Sequence, residues 1–231
     1  MSKSEMALGY GSEYQLLRCL GHHRNFLNKA ILSSLHLSQN TNIYWFDYPI
    51  DLGRESLDGE LKDIECFKEL SNFEQIKQSW EKFWPNAGSA QNWDGIFKIE
   101  DIWCFVEAKA HSEEIHSKTK ATSESKELIS KIFEQYCSEF SIKTDTWINS
   151  NAYQLANRIA FIQFCKSNGI NAKLVYISFI NGYEKLGGIK SVHSEEEWEI
   201  LWKKEYEELG LDLEKLNSIL TNVYIDCKKI N

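Results

Sequence analysis

The chain has 231 residues, 42% hydrophobic and 26% charged, with eight Trp and only two Pro, a composition suited to one substantial core and unlike that of a disordered chain. Its mean hydropathy is −0.44, and no apolar run approaches the roughly 18 residues of a membrane-crossing helix, which excludes a helical membrane protein. Lys and Arg total 26 against 34 Asp and Glu, a net charge of −8, so a role with nucleic acid must rest on a local positive surface, a metal or a partner.

The N-terminal stretch Met1 to Leu8 has no apolar segment behind its lysine, and a cytoplasmic location is expected. Six cysteines (Cys19, Cys66, Cys104, Cys137, Cys165, Cys227) stand singly. They form neither a zinc knuckle nor a disulfide scaffold, and most are expected as small buried hydrophobes.

Ser12 and Gln15 stand at capping-box spacing, and Leu16, Leu17, Leu20, Leu27, Ile31 and Leu35 follow at helical intervals, predicting one long amphipathic helix from about Ser12 to Leu35. Thr41 to Asp51 reads as a strand that Pro49 pushes to an edge or an end. Phe73 to Trp84 reads as a helix stopped by Pro85, and residues 86–92 as a polar loop. Trp93 to Ile99 and Ile102 to His111 form a hairpin around Glu100-Asp101. Helices are predicted over Glu124 to Phe140 and Ala152 to Ser167, a buried strand over Ala172 to Ile180 and a glycine-containing loop over Tyr183 to His193. A helix capped by Ser194 follows, with Trp198 and Trp202 as core residues, and Val223 to Cys227 ends the chain as a strand. The pattern is an α/β architecture: a mixed central sheet flanked by helices.

The hairpin holds the chemistry. If the turn is symmetric about Glu100-Asp101, partners sum to 201, so Asp94 faces Glu107. Opposed strand residues have Cβ atoms about 4.5–5.5 Å apart, and like charges there are unfavourable unless a cation lies between them. Mg²⁺ or Mn²⁺ suits two carboxylates. Removing one charge, as in Glu107→Gln, is then expected to leave the metal-free fold intact. By the period of two, Trp103, Phe105, Glu107, Lys109 and His111 share one face, while Ile102, Cys104, Val106, Ala108 and Ala110 form a small apolar face that packs on a helix.

With Asp94 followed by Glu107-Ala108-Lys109, the sequence resembles the PD-(D/E)xK nuclease superfamily, whose pattern is an acid followed, usually on the neighbouring strand, by Glu-x-Lys. The resemblance covers about residues 11–180: an opening helix with Glu13, the hairpin, then a helix with Gln154 leading into a strand. It implies a restriction-endonuclease-like fold in a single domain over residues 1–231, its core at about 11–180 and a helical and strand extension at about 181–231. It further implies Asp94 and Glu107 as ligands of Mg²⁺ or Mn²⁺, Lys109 as the residue that positions or activates the attacking water, Glu13 as a helper at the metal and Gln154 as a substrate contact. Two positions depart from the pattern: Trp93 stands where Pro often precedes the acid, and Arg158 where some relatives have Tyr.

The function this implies is metal-dependent hydrolysis of DNA phosphodiester bonds, in restriction, repair or defence. Nucleic acid is the expected partner, foremost DNA, with a homodimer or a protein partner left open and no membrane. Plainer readings stand beside it. Glu107 and Lys109 can be a solvated ion pair at a strand end, and Glu13 can serve the helix dipole alone. Gln154, Asn157 and Arg158 share one side of a helix, either as a solvated polar face or as substrate contacts. His22, His23 and Arg24 are a candidate phosphate patch. His111 and His116, with Glu113 and Glu114 between them, lack the further His or Cys that a zinc site wants. The rival functions are a catalytically inactive nuclease-fold protein acting as an interaction or regulatory module, which the acidic charge favours, and an α/β enzyme acting on a small phosphorylated or nucleotide substrate.

Overall fold

Period-two alternation in the middle of the chain sets two apolar cores on opposite sides of one sheet. The structure, a computed structural model, describes residues 9–46, 61–85, 91–137, 144–183 and 191–230. Its strands are β1 (Tyr44–Trp45), β2 (Leu61–Lys62), β3 (Asn92–Trp93), β4 (Gly95–Ile99), β5 (Ile102–Lys109), β6 (Ala172–Ile180) and β7 (Leu220–Asp226). The main sheet runs β1-β4-β5-β6-β7, antiparallel from β1 to β5 and parallel from β5 to β7, while β2 and β3 form a separate antiparallel pair. The helices are α1 (Ser12–His22), α2 (Arg24–Ser34), α3 (Phe73–Phe83), α4 (Ser123–Cys137), α5 (Tyr153–Ser167), α6 (Glu195–Glu208) and α7 (Leu213–Asn217). The protein is therefore α/β, a mixed five-stranded sheet flanked by helices. Among the described residues no helix is long and apolar enough to cross a membrane.

On one face Cys104, Val106, Ala108 and Ala110 meet Leu16, Cys19 and Leu20 of α1 and Leu27, Ile31 and Leu32 of α2. On the other face Trp103, Phe105, Leu174 and Tyr176 meet apolar residues of α3, α4, α5 and α6. β6 is an almost unbroken apolar run because, as an interior parallel strand, it is covered on both faces. Residues beyond 191 belong to this frame: β7 pairs with β6 over Leu220 to Asp226, and Trp198 and Trp202 are fully buried core residues. Cys19, Cys66, Cys104, Cys165 and Cys227 are free and buried.

The hairpin register follows the 201 rule from Ile99–Ile102 to Gly95–Val106. Elsewhere the structure departs from the expected pattern. The opening helix is two helices, broken at His23 (φ −127°, ψ 30°); Arg24 Nε donates at 2.9 Å to the Leu20 carbonyl that its own amide would use in an unbroken helix. Ser12 and Gln15 form no capping box, since Gly11 is the N-cap. Their side chains act over long range instead: Ser12 Oγ donates to Glu114 at 3.0 Å and Gln15 Nε2 to the Gly182 carbonyl at 3.2 Å. α3 ends at Phe83 and Trp84 is extended (φ −105°, ψ 143°), the conformation favoured before a proline. β5 stops at Lys109, with His111 in an isolated bridge to Ser191. Of the strand expected over Thr41 to Asp51, only Tyr44–Trp45 is seen, and residues 47–51 lie outside the described residues, as do 86–90, 138–140 and 184–190.

Glu100 opens the β4–β5 turn with φ 55°. A left-handed backbone costs an L-residue with a Cβ about 1–2 kcal/mol, which Gly avoids and Asn lessens. Glu100→Gly is therefore expected to raise the stability by about 1 kcal/mol, read as a higher urea midpoint at unchanged slope; a lower midpoint contradicts this account of the turn.

Candidate functional site

β5 and α5 bring the ionisable groups together. Glu107 and Lys109 point to the face that α5 covers, and Gln154 and Arg158, one helical turn apart, point back at them. Glu107 Oε1 accepts from Lys109 Nζ and from Gln154 Nε2, both at 2.8 Å, and Oε2 accepts from Arg158 Nε at 3.0 Å. Lys109 Nζ donates a second bond to Gln154 Oε1 at 2.9 Å. Glu107, Lys109 and Arg158 are only 3%, 6% and 6% exposed, so this is a buried ionic network and not a solvated strand end. Arg158 and Gln154 accordingly do not belong to an outward polar face; Arg158 is as deeply buried as Lys109.

Two residues just upstream complete the frame. Arg158 Nη2 donates to the Asn92 carbonyl at 2.6 Å, and the guanidinium lies 4.4 Å from the centre of the fully buried Trp93 ring. Trp93 and Arg158, the two departures from the nuclease pattern, are thus one cation–π pair. The partnership is not legible in the sequence because the two residues are far apart along the chain.

Asp94 does not sit in the regular ladder opposite Glu107. Paired Cα positions end at Gly95–Val106, and the Asp94 amide donates at 3.2 Å to the carbonyl of Val106, offset by one residue. Where β4 leaves β5, the Asp94 side chain takes over its role: Oδ2 accepts from the Ala108 amide at 2.7 Å. Ala108 is two residues beyond Val106, so its amide faces the same strand edge. Burial, and then the Glu107 charge, push the Asp94 carboxyl up to about 7, against the opposing pull of Lys109, the Ala108 amide and Arg158. Glu107 moves the other way. Burial opposes its charge, but Lys109 and Arg158 together outweigh that cost and hold its carboxyl below the usual range.

The other candidates are placed as follows. The first turn of α1 docks at the C-terminal ends of β5 and β6, through the Gly11 amide on the Gly182 carbonyl and Ser12 on Glu114, and Glu13 is exposed there on a helix covering the opposite face. His23 closes α1 and Arg24 opens α2, at the far end of α1 from Glu13, and no described hydrogen bond joins them to the Glu107 network. His111 and His116 have separate partners: His111 Nδ1 accepts from the Glu113 amide at 3.3 Å, and His116 Nδ1 lies 3.0 Å from Glu205 Oε1. Ser117, which sequence reasoning passed over, holds the start of α5, its Oγ accepting from the Gln154 amide at 2.6 Å.

The donor set fits a hard divalent cation. Asp94 Oδ1 accepts no hydrogen bond from the described residues, and Glu107 Oε2 accepts only one. Asp94 and Glu107 supply two carboxylates, and Mg²⁺ commonly completes its shell with water and substrate oxygens. Among the described residues, no three or more His, Cys, Asp or Glu side chains gather as a metal site. Compared with protein-family models, curated proteins and solved structures, the chain matches none.

The ionic network reverses the expectation for Glu107→Gln. Without the carboxylate, Lys109 and Arg158 stay buried without a counter-charge, and breaking a buried pair in this way costs about 3–5 kcal/mol. Metal-free Glu107→Gln is expected to lose about 3 kcal/mol in urea unfolding; unchanged stability contradicts the network's structural role. Asp94 behaves oppositely. Its carboxyl is raised on folding, so its contribution to stability is present below about pH 4, the ordinary range of an aspartate, and is lost as pH rises through about 7. In EDTA, wild type should lose more stability than Asp94→Asn between pH 5 and pH 8, and parallel curves contradict the shift.

Proposed function

We propose that the protein is a metal-dependent phosphodiesterase of the PD-(D/E)xK, restriction-endonuclease-like kind, acting on DNA. The observation that supports this most is the meeting of Asp94, Glu107 and Lys109 where β4 leaves β5, with Gln154 of the following helix bonded to both Glu107 and Lys109. A structural ion pair needs Glu107, Lys109 and Arg158. That ion pair does not account for Asp94, which is bonded to the Ala108 amide and whose ionisation the Glu107 charge opposes.

In this reading Asp94 and Glu107 hold Mg²⁺ or Mn²⁺. Bound there, the ion would lower the pKa of a water and offset charge on the phosphoryl oxygens. Lys109 orients the attacking water or stabilises the charge that develops as the water oxygen bonds to phosphorus and the bridging P–O bond to the departing sugar oxygen breaks. Gln154 fixes the ammonium group through its Oε1 and the carboxylate through its Nε2, which limits both to one arrangement. Arg158, held by Asn92 and Trp93, balances the Glu107 charge from the interior side.

One observation favours a second reading, that of an inactive fold serving as an interaction module: Glu107 is already bonded to three donors without a metal. Hydrolysis separates the two. Single-turnover assays on single-stranded, double-stranded and branched DNA with Mg²⁺ or Mn²⁺ should show cleavage by wild type. Lys109→Ala should lose at least about 100-fold in the chemical step, the scale of a lost transition-state donor, while keeping its affinity for Mn²⁺ in calorimetry. No cleavage by wild type, or equal cleavage by the variant, contradicts the nuclease reading and leaves the interaction module.

A further inference from the structure

Just beyond the site, residues 115–121 run along the start of α5 with exposure alternating at every residue. The inward side chains are Ile115, buried in the core, then Ser117, Thr119 and Ala121. Ser117 is tied to α5 three times: its amide donates to the Asn151 carbonyl at 2.5 Å, its carbonyl accepts from the Tyr153 amide at 3.2 Å and its Oγ accepts from the Gln154 amide at 2.6 Å. Thr119 is hydrogen-bonded to the Tyr153 side chain, and Ala121 packs on the core. The outward side chains are His116, Lys118 and Lys120, all exposed.

The chain has a net charge of −8, and several of its lysines are paired with acids: Lys68 with Glu65, Lys131 with Glu127 and Lys203 with Glu207. Lys118 and Lys120 have no ion pair among the described residues, and only His116 in the row faces an acid, Glu205. Alternate residues of an extended segment stand about 6.6 Å apart, comparable to the separation of successive phosphates along a nucleic-acid strand. The inner face of the same segment fixes the amide of Gln154, whose side chain grips Glu107 and Lys109. Two exposed lysines thereby stand on the outer side of the segment whose inner side holds the start of α5.

We propose that Lys118 and Lys120 form a track for the phosphodiester backbone of DNA, so that the site takes a polymer and not a small phosphorylated compound. The proposal rests on the phosphodiesterase reading for the location of the scissile phosphate, but the track itself is read by binding alone. Phosphate contacts of this kind supply sequence-independent affinity that falls with salt.

The test measures fluorescence anisotropy of a labelled oligonucleotide, single-stranded and as a duplex, over a salt series in EDTA, where no hydrolysis occurs. Compared with wild type, the double variant Lys118→Gln/Lys120→Gln should bind every sequence more weakly, with a salt slope shallower by about 2, near 1 for each lysine. Lys29→Gln, on α2 across the sheet, should bind as wild type does. No binding by wild type, or the same affinity and slope in the double variant, overturns the track. A companion assay with bis(p-nitrophenyl) phosphate and Mn²⁺ has no backbone to follow, so wild type and the double variant should hydrolyse it equally. If binding depends on the two lysines but neither DNA nor the small diester is cut, the track stands and the phosphodiesterase reading fails; loss of diester hydrolysis in the double variant instead places the lysines in the reaction and overturns a pure track.

Discussion

Glu107 is nearly out of water and accepts from an ammonium, a guanidinium and an amide at once. Burying a lone carboxylate costs several kcal/mol, and that cost is offset only when opposite charges and hydrogen bonds surround it with good geometry. The neighbouring architecture meets this requirement. The alternation of β5 brings Lys109 alongside, the crossover helix α5 delivers Gln154 and Arg158 at one-turn spacing, and β3 provides the Asn92 carbonyl and the Trp93 ring that hold the far side of Arg158. Fixing these groups also fixes where α5 begins, and Ser117 ties that beginning to the segment that leaves β5.

The network leaves Asp94 as the poorly matched member. Its carboxyl stands at the point where the β4–β5 ladder ends, accepts one backbone amide and feels Glu107 as a like charge. Without a cation it is driven toward its neutral form, so the metal-free site trades the ionisation of one acid for the stability of the other. The two carboxylates therefore stand differently in the fold: Glu107 is surrounded by opposite charge, whereas Asp94 satisfies the Ala108 amide while burial and the Glu107 charge oppose its ionisation.

Much of this was readable in the sequence, because one local rule, the period of two, governs which face each residue of β5 takes. It separated Trp103, Phe105, Glu107 and Lys109 from Cys104, Val106 and Ala108, and the 201 pairing followed from a two-residue turn. What was not readable depended on long-range partners. The offset at Asp94 arises because its side chain satisfies the Ala108 amide, the break at His23 leaves a carbonyl for Arg24, and Ser12 and Gln15 serve Glu114 and Gly182 in place of their own helix end. Arg158 resembled a solvated residue because its polar neighbours Gln154 and Asn157 share its side of α5. Its counter-charge and its aromatic seat come from β5 and β3, which no helical pattern reveals.

The central claim is that Asp94 and Glu107 jointly hold a divalent cation. Anomalous scattering from crystals soaked in Mn²⁺ tests it most directly. The account predicts one peak within bonding reach of a carboxylate oxygen of each residue, at about 2.0–2.2 Å, with Asp94 ionised and the Arg158 contact to Glu107 retained. A peak bound elsewhere, or none at Mn²⁺ concentrations that saturate the protein in calorimetry, contradicts it and leaves Glu107, Lys109 and Arg158 as a structural ion network alone.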